Sequence, residues 1–273
     1  MTRVAGALAL QRIAAIWFAA ALFGQWAFAA YLVAFYGPTT LSGNFEAWLA
    51  LRKLGGTGYV AGDLAGNLTF AAHALAAAVI AFGGGLQLIP KIRERWPRFH
   101  RWNGRVFLVL VLGLSLSGFY LVWVRDTAPS ALNAIGTSLN GVLILACAGA
   151  AWRTGRARDF GRHRRWAIRL YLVSNAQWFL RIGVVAWFAG NAAIGRKLSA
   201  GDPFLLFWTL GCYLVPLAIA EAFMRAKDGA SAAVRTATAL LLAIITLMML
   251  VGIAGFGALS WNIVTGAPLA LPA

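Results

Sequence analysis

Acidic residues are scarce in this chain. Only 8 of its 273 residues are Asp or Glu, against 24 Lys and Arg, and charged residues make up 12% of the whole. Soluble domains carry about twice that charged fraction, so the composition excludes a soluble globular fold. Carboxylates are also too few to set out pairs for general acid–base work. Glu221, the acid nearest the middle of an apolar run, lies close to that run's end with Arg225 one helical turn on, the spacing of a helical ion pair. The chain holds only two cysteines, Cys147 and Cys212, both inside apolar runs. There is no CxxC and no CxxCH, so neither a zinc site nor covalently attached heme is supported, and both thiols read as small core residues. HExxH, a Walker A loop and a GxGxxG turn between strand and helix are missing. No repeat of solenoid period and no low-complexity tail stands out.

What the chain has instead is apolar length. Hydrophobic residues make up 61% of it, and the mean hydropathy is +0.74. Seven runs of about 20 residues, the length a bilayer core requires, occupy 13–36, 68–89, 106–124, 132–152, 166–189, 203–224 and 236–259. The first run is longer than the 7–15 residues of a signal-peptide core. It reads as a retained helix, with cleavage after the triplet Ala27, Phe28, Ala29 as the alternative. The net charge of +16 does not point to nucleic acid, because the cations cluster in short connections between apolar runs. Of the 24 cations, 18 fall in the N-terminus and the connections at 91–105, 153–169 and 225–235; 5 fall in the others, and Arg181 stands alone inside a run. The positive-inside rule then sets the N-terminus inside and the C-terminus outside. The expected fold is all-α: a polytopic bundle of seven transmembrane helices forming one transmembrane domain over 1–273, multi-pass in a bacterial inner membrane.

Polar groups inside the apolar layer mark candidate sites. In 163–181, HRRWAIRLYLVSNAQWFLR, an arginine-rich connection becomes an apolar run carrying Arg169, Asn175, Gln177 and Arg181. A mid-membrane arginine costs about 3 kcal/mol on insertion scales, so Arg181 is expected to face the bundle interior, on the same arc as Gln177 and Arg169. In the second run, His73, Ala77, Ile80, Gly84 and Gln87 form one helical stripe whose small members invite a neighbouring helix. The triplet Gly83–Gly85 predicts an easily deformed end to that helix. A short amphipathic piece over 44–54, with Phe45, Trp48 and Leu51 on one side, predicts a helix lying in the membrane interface.

The chain has three histidines. His100 and His163 fall at the cytoplasmic entrances of two different spans, and His73 falls near the opposite face. Two histidines from separate helices can ligate heme b iron axially, with Arg101, Arg105, Arg164 and Arg169 near its propionates. The alternative is that both are interfacial residues among cations that contact anionic lipid headgroups, beside the aromatic-belt residues Trp102 and Trp166. A second constellation, His73, Tyr120, Asn133, Asn140, Gln177 and Arg181, falls in the outer half and would suit a quinone or another small ligand. Its alternative is a buried polar network that fixes helix packing.

The segments HRWNGRVFLVLVLGLSLSGFYLVW and HRRWAIRLYLVSNAQWFLRI, with His73 to Gln87 before them, carry a resemblance. The chain resembles the bacterial predicted membrane proteins grouped as domain of unknown function 2306. The matching motifs are His100 to Arg105 (H-R-W-x-G-R), Ser117–Gly118, and His163 to Arg169 with Leu180–Arg181; the family's methionine after the tryptophan is Ala167 here. The resemblance covers a four-helix core over 68–190 and implies a bacterial inner-membrane protein without an assigned reaction. At the level of fold only, histidines on several spans are similar to cytochrome b561 and ferric-reductase bundles. The leading functional expectation is a redox protein binding heme b or quinone. Against it stand a non-catalytic membrane subunit or scaffold with a membrane-protein partner, and a small-molecule transporter.

Overall fold

A computed structural model describes residues 3–54, 58–199 and 201–267, and among these there is no strand. Helix α1 runs Arg3–Leu41 and continues past Pro38. A 3₁₀ segment, Phe45–Leu54, follows. Then come α2 (Leu64–Leu86), α3 (Pro90–Arg95), α4 (Pro97–Trp123), α5 (Ala131–Arg156), α6 (Phe160–Ser174), α7 (Ala176–Ala193), α8 (Pro203–Lys227) and α9 (Ala232–Thr265). Local chemistry sets the starts. Asp63, Ser130, Asp159 and Asp202 each accept a backbone N–H of the first turn they cap. Pro90, Pro97 and Pro203 occupy first-turn positions, where a missing N–H costs nothing.

Six of these helices, α1, α2, α4, α5, α8 and α9, are long and apolar enough to cross a membrane. The run expected at 166–189 departs from a single helix. It is divided at Asn175 into α6 and α7. The Ser174 hydroxyl donates to the Leu170 carbonyl and Asn175 Nδ2 donates to the Tyr171 carbonyl at 2.8 Å, while the Asn175 N–H turns back to Leu172. Side chains thus serve the carbonyls left over where the helix stops. Asn175 is 4% exposed, so the break is buried and satisfied.

The chain forms two compact units. One comprises Gln177–Ala258 with the first part of α1. In it α7 and α8 approach closely at Gly183, against which the Trp208 indole lies; that indole donates to the Phe179 carbonyl at 3.2 Å. Phe204 is stacked between Trp187 and Trp208, with centroids 4.3 and 5.3 Å away. Leu10, Ala226 and Leu242 form a buried cluster with Trp17 and Phe223 against it. The other unit comprises Trp26–Ala176 with the last turns of α9. Here α2 packs on α4, α4 on α5, and α5 on α6.

The expected amphipathic face at 44–54 is present, and the chain itself covers it. Phe45, Trp48 and Leu51 are buried against the chain itself, with Trp48 at 0% exposure. Their spacing of three matches the three residues per turn of a 3₁₀ helix. Trp48 meets Tyr36 and Phe70 and donates its indole N–H to Thr39 Oγ1 at 2.9 Å. Helix α2 stays helical through Leu86, with all of Gly83–Gly85 buried.

Candidate functional site

Helices α2 and α4 run antiparallel, and the stripe read from the sequence is the face α2 turns to α4. His73 Nδ1 lies 2.8 Å from Ser117 Oγ, and Gly118 lies beside the imidazole edge, where a Cβ would make an ordinary 3.6 Å contact with His73 Cε1. The Ser117–Gly118 pair of the motif therefore serves as the seat of His73. Further along, Gly84 faces Phe107, Asn103 donates to the Gly83 carbonyl at 2.9 Å, and Gln87 Nε2 donates to the His100 carbonyl at 3.2 Å. Glycines bring the two backbones close enough for a side-chain amide of one helix to reach a carbonyl of the other.

This register carries the motif residues to one end of the unit. His163, in the first turns of α6, has its Nδ1 2.9 Å from the Ala151 carbonyl of α5. A carbonyl only accepts, so Nδ1 bears a proton, and in the neutral ring Nε2 then holds the lone pair. Gly155 makes the fit, since a Cβ there would come within 3.0 Å of that same Nδ1. His100 is half-buried, and its Nδ1 is buried with no hydrogen-bond partner. His163, Arg93 and Arg101 are all near enough to act electrostatically on the His100 ring. The end of the unit thus gathers two imidazoles on separate helices, one tautomer fixed by a backbone carbonyl, within a cationic surround.

The remaining expected residues are arranged differently. Arg105 and Arg169 lie over the rings of Trp102 and Trp166, at 5.0 and 4.6 Å. Asn133 Nδ2 is spent on Ser130 Oγ at 3.0 Å, and Tyr120 is exposed. Asn140 is buried with its Oδ1 unpartnered. Gln177 is exposed and Arg181 half-buried, and the Arg181 guanidinium folds back one turn onto the Gln177 carbonyl at 2.8 Å and its Oε1 at 3.3 Å. These two belong to the other unit from His73, His100 and His163. Cys147 and Cys212 are buried free thiols. Among the described residues no three His, Cys, Asp or Glu side chains gather as a metal-holding group.

Sequence reasoning missed a further polar cluster, at the opposite end of the same unit. Arg125, just past α4, places Nε 2.8 Å from Asp63 Oδ2, Nη1 2.9 Å from the Gly58 carbonyl and Nη2 2.9 Å from Asn67 Oδ1. The available signal was faint: an acid before α2 and a cation after α4, at ends that an antiparallel pair would bring together.

Over residues 70–224 the chain matches the family described as Predicted membrane protein (DUF2306), and it belongs to that family. No curated protein and no solved structure matches it. The match takes in α4, α5 and α6 and most of α2, so the His73 seat and the His100–His163 end both lie within it.

Proposed function

For this multi-pass membrane protein of the family we propose a redox function in which His100 on α4 and His163 on α6 would hold heme b. One observation carries the reading. In a chain with three histidines, two from different helices come together with a ring nitrogen available on each: the His163 Nε2 lone pair and the unpartnered, buried Nδ1 of His100. A second-sphere carbonyl on the far nitrogen is how proteins orient a ligating imidazole, and Ala151 occupies that position behind His163. The donor set therefore fits bis-histidine ligation. Bound there, heme b would supply one-electron transfer. The protein's part is to orient and to neutralise. Ala151 and Gly155 fix the His163 ring, Gln87 and Asn103 hold α2 to the first turns of α4, and Arg93 and Arg101 place positive charge near His100, where propionate carboxylates would need it.

The charge balance supports the orientation of this site. With 18 cations assigned inside and 5 outside, the His100–His163 end faces the cytoplasm of a bacterial inner membrane. The same balance asks α6 and α7 together to complete a seventh crossing, so that the basic connection at 225–235 also stays inside. A satisfied break such as that at Asn175 is tolerated at membrane depth.

A reduced-minus-oxidised visible spectrum of the purified protein tests the proposal. A b-type signal is expected from wild type, and its loss from both His100→Ala and His163→Ala. A flat spectrum from folded protein produced with ample heme would overturn it and favour a non-catalytic subunit.

A further inference from the structure

Helix α4 is longer than a bilayer core. Its 27 residues make about 40 Å, against about 30 Å of hydrocarbon. Counted from the exposed indole of Trp123, which suits an interfacial belt, a core of about 20 residues ends near Asn103. The apolar surface does not end there. On a helix Phe99, Trp102, Val106, Val109 and Leu116 share one arc about 100° wide, and all five are exposed. The side of the span that faces hydrocarbon therefore continues, as aromatic rings, for about one turn into the depth of the headgroup layer.

At Trp96 the chain turns. This residue ends α3 and precedes α4 with φ −130° and ψ 64°, outside the helical region. Short α3 packs on α4. Along it Ile92 and Trp96 stand one turn apart, with Glu94 on the opposite side. Exposed Trp96 lines two open clefts. One, of about 590 Å³, is shared with Lys91, Ile92, Glu94 and Arg95; the other, of about 420 Å³, with Arg95, Pro97, Arg98 and Phe99. Each cleft thus sets an indole beside cations. Lys91, Arg95 and Arg98 are exposed here with one acid, Glu94, which pairs with Arg93 at 3.7 Å. An acidic protein would match these cations alone. A lipid surface matches both the cations and the aromatic arc that leads into the span.

We infer that α3 and the first turns of α4 form an elbow seated in the anionic headgroup layer of the adjoining leaflet, with Trp96, Phe99 and Trp102 inserted and Lys91, Arg95 and Arg98 at the lipid phosphates. The elbow sets the membrane depth of His100, the residue after Phe99. It does not depend on whether heme is bound there.

The test reads depth by spin labels on the full chain in phosphatidylcholine nanodiscs that contain phosphatidylglycerol. Cys147 and Cys212 are buried, so an introduced thiol takes the label. Trp96, Phe99 and Glu94 are all exposed, so a label at any of them disturbs no core packing. Power saturation compares access of oxygen, which concentrates in hydrocarbon, with access of a water-soluble nickel chelate. Labels at Trp96→Cys and Phe99→Cys should meet the chelate at least about threefold less than a label at Glu94→Cys, and that contrast should fall by about half in phosphatidylcholine alone, where the cations lose their anionic surface. Equal chelate access at the three positions overturns the elbow. A contrast unchanged without phosphatidylglycerol also overturns it, since insertion would then owe nothing to anionic lipid. Labels that stay open to the chelate in phosphatidylglycerol but are shielded by added polyglutamate would assign the corner to an acidic protein, and would overturn it too.

Discussion

The two ends of the Trp26–Ala176 unit use positive charge in opposite ways. At one end Arg125 is 4% exposed in its side chain, and each of its three guanidinium nitrogens has an acceptor. One acceptor, Asn67, is itself doubly engaged, donating to the Val60 carbonyl at 2.8 Å and accepting from the Val60 N–H at 3.0 Å. The result is a pin that fastens the segment before α2 to the end of α4. At the other end arginines are exposed or stacked on indoles, and a histidine nitrogen is buried without a partner. The contrast teaches that a cation's role follows from how many of its donors the chain itself satisfies. Where all are satisfied, as at Arg125, the charge is architecture; where the side chain is exposed, as at Arg98, the charge stays open to the surroundings.

Breaking the pin is the most damaging test of that contrast. Arg125→Met keeps the volume but strands the Asp63 carboxylate and two oxygens, so it should cost about 3 kcal/mol of stability. Arg98→Met, on an exposed side chain of the other end, should stay within about 0.5 kcal/mol. Unfolding midpoints of the two variants in one detergent decide the matter, and equal losses would erase the distinction between the ends. Between the ends the α2–α4 contact should tighten toward His100. A Cβ on Gly84 would come within 2.8 Å of the ring of Phe107, which is 7% exposed and has little room to swing away. Gly84→Ala should therefore cost about 1–2 kcal/mol. Gly118→Ala meets His73 at an ordinary 3.6 Å and should be nearly silent in the same assay.

Much of this arrangement was legible where a period or a motif carried it. The helical stripe from His73 to Gln87 identified the face of α2 that meets α4, because apolar and small residues at that spacing have one physical use. The pattern Phe45, Trp48, Leu51 identified a buried face for the same reason, although it could not say that the chain itself, and not lipid, would cover it. Long-range polar pairing was not legible. Arg125 counted only as a charge on the sparsely charged side, since its ion-pair partner Asp63 lies 62 residues away. The division at Asn175 was hidden too, because Ser174 and Asn175 read as polar residues within a continuous apolar run and their bonds to Leu170 and Tyr171 have no periodic signature. For Arg181 the sequence carried only the insertion cost, and nothing in it signalled that the guanidinium reaches the oxygens of Gln177 one turn back.

The smallest effect should separate the charge of the pin from its hydrogen bonds. The Gly66 N–H, followed by the Arg125 guanidinium, holds the Asp63 carboxyl below the ordinary carboxylate range, against a partial opposing push from desolvation. A carboxyl lowered on folding stabilises the protein above its unfolded pKa of about 3.9 and loses that contribution as pH falls through the folded value. Asp63→Asn retains a good helix cap, because asparagine and aspartate are equivalent in that position, and it removes only the titrating charge. The gap in melting midpoint between wild type and Asp63→Asn should hold steady from neutral pH down to about 5 and then close below about 4. A gap that closes means that the Asp63 charge, held by the Gly66 N–H and by Arg125, stabilises this end. A gap that stays open at acid pH, or never exists, means that Arg125 is held by Gly58 and Asn67 alone, and that this end is fixed by neutral oxygens with Asp63 serving only as the cap of α2.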